Sequence, residues 1–200
     1  MRALPQKQIM SWSKPSKQDL AGEPALVRAA ALRYLGRREY TAAELRQRLT
    51  ERGAQAADIV EVLECLRQGG YQSDARTAEV HIRQRICYAP RGRALVAQEL
   101  KERGVSAGLV SAALQEHYPP EAEQELLQRL LAKEARHEQA GLEQAGPEAA
   151  ASSLGSGQKT QRQRQKLARR LLAKGFRQSL VLQALEEWLP LADDNGYEYP

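Results

Sequence analysis

The sequence predicts an all-α protein made of repeated three-helix units, and three observations carry that expectation. Apolar residues recur at helical rather than alternating spacing through most of the chain. Aromatic residues make up only 5%, with one Phe and two Trp, so a core must come mainly from Leu, Ala, Val and Ile. That set suits close-packed helices and leaves little for a β-sandwich. Finally, the stretches LTERG, LKERG and LLAKG each close a helix-like run, at Gly53, Gly104 and Gly175.

Aligned on those glycines, the chain repeats in character at five positions. Eight residues before them stand Leu45, Val96 and Leu167, and four before stand Leu49, Leu100 and Leu171. The residue just before is Arg52, Arg103 or Lys174. Six residues after come Ile59, Val110 and Val181, and ten after come Leu63, Leu114 and Leu185. Each copy is a helix pair with a further helix in front of it.

Residues 1–24 are polar, carry Pro5, Pro15 and Pro24 and lack periodicity, which predicts a flexible N-terminal arm. The first unit, 25–70, opens with PALVRAAALRYLGR, where Leu26, Ala29, Ala30 and Leu35 fall near one face. In YTAAELRQRLTERG, Thr41 and Glu44 make a capping box and Tyr40 and Leu45 a hydrophobic staple, with Gly53 as the left-handed stop. AADIVEVLECLRQGG then places Ile59, Val62, Leu63 and Leu66 on one stripe.

The second unit, 71–118, starts with Ser73 or Asp74 as a helix cap and uses Val80, Ile82 and Ile86 as apolar positions. RALVAQELKERG and VSAGLVSAALQEHY repeat the helix pair. The third unit, 119–190, begins at Pro119 and Pro120. Its stretch 139–158, rich in Ala, Gly, Ser and Glu, is expected to be a flexible insertion. KTQRQRQKLARRLLAKGF and SLVLQALEEWL complete the unit, Pro190 ends it, and 191–200 form a C-terminal tail.

Composition narrows the function classes. A formal charge of +5 permits an acidic partner without requiring one. No apolar run approaches the ~20 residues of a membrane span, and the N-terminus lacks the apolar core of a signal peptide. Cys65 and Cys87 form no metal-like spacing or disulfide framework and read as reduced packing residues of a cytoplasmic protein. His81, His117 and His137 are scattered, so no metal is expected. Without a phosphate-cradling glycine loop or a nucleophilic constellation, no cofactor and no enzymatic activity are expected.

The ordered segments YLGRREYTAAELRQRLTERG, GGYQSDARTAEVHIRQR, RGRALVAQELKERGV and KLARRLLAKGF resemble the RecX family, bacterial regulators of the RecA recombinase. The resemblance runs from about Ala25 to Leu189, excluding the insertion, and is strongest in the Gly-Tyr-x-x-Asp-x-Arg stretch that ends at Arg76. Thr77 stands where family members usually carry an aromatic residue, and the insertion is longer than the family pattern. The resemblance implies three tandem three-helix repeats in a curved, elongated body. It also implies binding to the RecA–single-stranded DNA filament, limiting filament growth and suppressing ATP hydrolysis and strand exchange. Arg76 and Arg85 are the residues it puts forward for partner binding.

Other candidates come from charge alone. Lys159–Arg177 holds eight Lys or Arg and no acid, and Arg162, Lys166, Arg169 and Arg170 share a helix side as a cationic ridge or a solvated face. Arg83, Arg85, Arg91 and Arg93, with Lys101 and Arg103 further on, form a second basic stretch, diluted by Glu79, Glu99 and Glu102, which equally describes mixed ion pairs. Arg37 and Arg38 either meet a partner or cap a helix end. Tyr71 either stacks on a partner or packs the joint, with packing preferred. The leading reading is a monomeric RecA-filament regulator with weak nonspecific DNA affinity. The rival is a DNA-binding helical module acting without RecA, although its basic residues spread over all three units rather than one recognition helix.

Overall fold

The computed structural model describes residue 20, residues 22–145 and residues 157–188. Among the described residues there are no strands and nine helices. In chain order they are α1 (Pro24–Leu35), α2 (Ala42–Glu51), α3 (Ala56–Gln68), α4 (Asp74–Cys87), α5 (Arg93–Glu102), α6 (Ala107–His117), α7 (Pro120–Ala145), α8 (Gly157–Ala173) and α9 (Gln178–Trp188). They belong to two compact units, one with α1–α3 and one with α4–α9. The all-α helical-repeat architecture is the one the sequence predicts.

In the first unit, Glu44 N–H donates to Thr41 Oγ1 at 3.0 Å, and Thr41 N–H donates to Glu44 Oε2 at 3.0 Å. The capping box therefore closes, and Tyr40 and Leu45 are both buried where the staple requires them. The α3 stripe of Ile59, Val62, Leu63 and Leu66 is buried against α1 and α2. On α1 the inward residues are Val27, Ala30 and Ala31, while Leu26 is exposed and Ala29 faces solvent. Because α1 is apolar nearly all round, its periodicity alone left the face ambiguous by one residue. Leu20, assigned to the arm, is fully buried in this core, and Pro24 opens α1. The rest of the arm, save Gly22 and Glu23, lies outside the described residues.

One turn joins the helices of every pair. Gly53, Gly104 and Gly175 have φ of +82°, +84° and +80°, a region that side chains with a Cβ rarely enter. The next residue sends its N–H back over the turn: Ala54 to Leu49 O and Val105 to Leu100 O at 3.1 Å, and Phe176 to Leu171 O at 3.3 Å. This is the Schellman arrangement, in which the residue after the glycine also packs on the residue whose carbonyl it caps. Ala54, Val105 and Phe176 are buried accordingly, a sixth repeated position that the alignment had missed. The partner helices α3, α6 and α9 then start three residues after each glycine.

The second unit has one core drawn from all six of its helices. Its tightest point is the approach of α5 to the turn after α8. Gly92 N–H donates to Lys174 O at 2.8 Å. A Cβ on Gly92 would run into the Gly175 carbonyl, and a Cβ on Gly175 would run into Leu95. Gly92 is also the N-cap of α5, so that helix has no cap side chain of its own. Glu123 of α7, fully buried, supplies one: its Oε1 accepts Arg93 N–H at 2.8 Å, and Oε2 faces Arg177 Nη2 at 3.4 Å. Tyr118, also fully buried, donates its hydroxyl to Arg91 O at 2.9 Å. Burial, reinforced by the negative charge of Glu123, raises the Tyr118 hydroxyl pKa and keeps it a donor.

Three expectations are corrected here. Cys65 and Cys87 are exposed rather than packed, because Cys65 lies off the α3 stripe and Cys87 ends α4. Tyr71 packs the joint only in part: its ring lies across Gly69, yet the residue is 55% exposed. The stretch 139–158, expected to be flexible, is helical at both ends, since α7 continues to Ala145 and α8 begins at Gly157, while 146–156 lie outside the described residues. Ala, Gln and Glu in that stretch are good helix formers even without an apolar stripe. Pro190 and the tail 191–200 lie outside the described residues.

Gly92→Ala and Gly175→Ala are expected to destabilise the protein by about 2 kcal/mol or more through the clash, with left-handed strain added at Gly175. Gly108→Ala, on α6 with open space around it, should be neutral or stabilise by up to ~1 kcal/mol. Urea unfolding followed by circular dichroism separates the two classes. Equal midpoints for all three variants would refute the close-approach account.

Candidate partner-binding surface

The strongest cationic surface is on α8. Leu167 and Leu171 bury one side of the helix, and Arg162, Lys166, Arg169 and Arg170 stand exposed on the other. Their spacing of four, three and one residues keeps them within a third of a turn of one another. Arg170 makes a two-pronged contact with Glu134 of α7, at 2.7 and 3.2 Å. Arg162, Lys166 and Arg169 have no ion-pair partner among the described residues. Arg164 is turned inward, its side chain 12% exposed and 3.7 Å from Glu186 of α9. A recess of about 290 Å³ opens beside the ridge, between α7, α8 and α9, lined by Lys166, Arg170, Gln163, His137 and Trp188.

The second basic stretch is largely engaged internally. Arg85 Nε donates to Glu99 Oε2 at 2.7 Å, and His81 Nε2 lies 2.8 Å from the same oxygen. Arg103 Nη1 lies 3.3 Å from His81 Nδ1. A carboxylate and a guanidinium on opposite sides of the ring fix its tautomer: Nε2 carries the hydrogen and Nδ1 accepts. Burial tends to raise the Glu99 pKa, but hydrogen bonds from Arg85 and His81 outweigh it and hold the carboxylate below its ordinary range. Arg83 pairs with Glu79 at 2.6 Å. Backbone groups of Arg91 and Arg93 serve the α5 junction, and the Arg91 Nε is buried without a hydrogen bond. Arg76 is half-buried on the first turn of α4. Of the two possibilities for this stretch, mixed ion pairing describes Arg83 and Arg85, while Arg103 is engaged with His81.

In the first unit Arg37 is exposed. Arg38 stacks its guanidinium 3.7 Å from the Tyr40 ring centroid, reaches Glu44 at 3.3 Å and donates to Glu39 O at 2.9 Å. Arg48, absent from the sequence candidates, lies 5.3 Å from the same ring. Two further features escaped sequence reading: the Tyr88 side chain, 86% exposed after α4, and the buried His81. Both follow from the α4 register, which no local motif announces. Among the described residues no cluster of His, Cys, Asp and Glu is arranged to hold a metal. No described helix is long and apolar enough to cross a membrane.

Helix pairs repeated on one glycine turn, with cationic side chains on several helices, define the class: an all-α helical-repeat protein. Residues 28–66 match the first three-helix domain of RecX, and residues 73–114 match the second. The regulatory protein RecX of a Mycobacterium species (strain KMS) is 31% identical over 170 residues, 85% of this chain and 82% of that protein. The regulatory protein RecX of Halorhodospira halophila is 42% identical over 90 residues, 45% of this chain and 55% of that protein. A third, from Chromohalobacter salexigens, is 37% identical over 100 residues and matched over 65% of its length. The chain thus spans little more than half to two thirds of these last two relatives. The crystal structure of RecX from Lactobacillus salivarius superposes with a TM-score of 0.66 at 21% identity, over 82% of this chain and 96% of that one. The chain belongs to the RecX family.

Burial lowers the His81 pKa below the ordinary 6.5, the charges of Arg103 and Arg85 add to this, and Glu99 opposes it. The fold therefore favours the neutral ring, and the unfolded chain takes up the proton first. The stabilisation is complete above pH 6.5 and is withdrawn as pH falls below it. Urea midpoints should decline from pH 7 to pH 5 in the natural protein and decline less in His81→Gln; parallel slopes would contradict the assignment.

Proposed function

We propose that this protein regulates RecA by binding the RecA–single-stranded DNA filament, depressing its ATPase, filament growth and strand exchange. The observation that carries the reading is family membership, through a regulatory relative matched over most of its length. The repeat architecture supports it. Several modest contacts in one chain raise the effective concentration of the next contact on a helical polymer. We assign three modules, 25–70, 71–118 and 119–190, acting as a monomer in the cytoplasm without cofactor or catalysis of their own. Exposed cations spread over the modules, including Arg37, Arg162, Lys166 and Arg169, suit a long polyanionic partner better than a single recognition helix does. Arg76 and Arg85 remain assigned to the partner side on the family resemblance, Arg85 through the groups it does not commit to Glu99, and Tyr71 is assigned there by its exposure.

The test is RecA's single-stranded-DNA-dependent ATPase, titrated with this protein well below one molecule per RecA at moderate salt. Inhibition there, with DNA in excess, is the expected result. Absence of inhibition, with tight salt-sensitive binding to bare DNA, would transfer the assignment to a DNA-binding module acting without RecA.

A further inference from the structure

The recess between α7, α8 and α9 combines an aromatic wall with a cationic rim. On α8 it is lined by Gln163, Lys166, Leu167 and Arg170, spaced i, i+3, i+4 and i+7 and therefore on one stripe of the helix. Leu167 is the buried edge of that stripe, and Lys166 is exposed. Arg162 and Arg169 stand on the neighbouring stripe, beside Lys166 and further from the core. The half-buried Trp188 closes the α9 side, with Glu134 and His137 on the α7 side.

Each wall restricts what can enter. Around the indole the groups are polar: Gln163, His137 and the Glu134 carboxylate. A purely apolar side chain would strip water from them and give no hydrogen bond in return. A nucleobase avoids that cost, because its face stacks on an aromatic ring while its edge donates and accepts. Charge is divided too. Glu134 holds Arg170 in a two-pronged contact at 2.7 and 3.2 Å, which leaves that end of the stripe close to neutral. Lys166, flanked by Arg162 and Arg169, has no ion-pair partner among the described residues, and neither do they. A phosphate is therefore drawn to Lys166 while its base lies toward Trp188.

We propose that the recess takes one unpaired nucleobase of a single-stranded nucleic acid. The base stacks on Trp188, its phosphate meets Lys166, and the continuing backbone runs over Arg162 and Arg169. A strand is selected over a free mononucleotide because linked phosphates engage the three cations together, each contact raising the effective concentration of the next. A duplex is excluded from the recess, since its bases are covered on both faces and turning one out of the stack is unfavourable. The subsite gives the chain a grip on the strand itself, in addition to any contact with RecA.

The chain has two tryptophans, Trp12 and Trp188, so Trp12→Phe leaves Trp188 as the only indole reporter. In that full-length background an oligothymidylate should quench the Trp188 emission at low salt. An abasic strand of equal length and charge should bind without quenching, and the oligothymidylate paired with oligoadenylate should not quench either. By anisotropy of labelled strands, Trp188→Ala should weaken oligothymidylate binding about tenfold, the loss of one stacked base, and leave the abasic strand unaffected. Because Trp188 also packs on the core, Trp188→Phe is the second variant and should keep most of the affinity. Lys166→Gln should weaken both strands alike. Equal quenching by the abasic strand or by polyglutamate, or equal losses for both strands in Trp188→Ala, would reduce the ridge to a polyanion surface and overturn the proposal. Thymidine monophosphate as potent as the oligomer would overturn the choice of a strand. No RecA is present, so this result and that of the ATPase titration fail independently.

Discussion

The second unit depends on the contact of two glycines. Gly92 and Gly175 bring the start of α5 against the turn after α8, and neither position has room for a Cβ. The close approach leaves α5 with a cap residue that has no side chain. Glu123 meets that need from another helix, accepting the Arg93 N–H with a buried carboxylate that also faces Arg177. In the first unit Thr41, the equivalent residue, caps α2 from within its own sequence. The same helix pair is thus closed locally in one copy and by a long-range partner in another. A buried, paired acid at a helix N-terminus is strongly favoured by the orphan N–H groups there and costly to leave uncompensated.

That junction also explains why α4–α9 share one core. Tyr118 and Glu123 flank the start of α7 and Phe176 lies more than fifty residues further on, yet all are buried around the α5–α8 approach. The adjoining polar network is equally closed. Arg85, His81 and Arg103 are held in one chain of hydrogen bonds through Glu99. Cations engaged in this way stabilise and orient helices. They differ physically from the exposed cations of α8, whose fields extend outward into solvent.

The helices and their stops were legible because their causes are local. The capping box at Thr41 and Glu44, the apolar stripe of α3 and the three left-handed glycines all follow from residues within one or two turns of each other. The α8 ridge was legible for the same reason, since helical periodicity alone separates Lys166 from Leu167. The face of α1 was not, because an almost uniformly apolar helix has no polar side to mark its outside. Nor was the exposure of Cys65, Cys87 and Tyr71, since small or amphipathic residues satisfy either environment.

The sequence by itself therefore determined the all-α class, the repeated helix pair and the position of each turn, all products of short-range sterics, capping and periodicity. Only the tertiary structure decided which cations are engaged and which are exposed. It also decided that Gly92 must be glycine and that Glu123 caps a helix thirty residues away. Those outcomes depend on which helices meet, and a contact between distant segments leaves no periodic trace in either one.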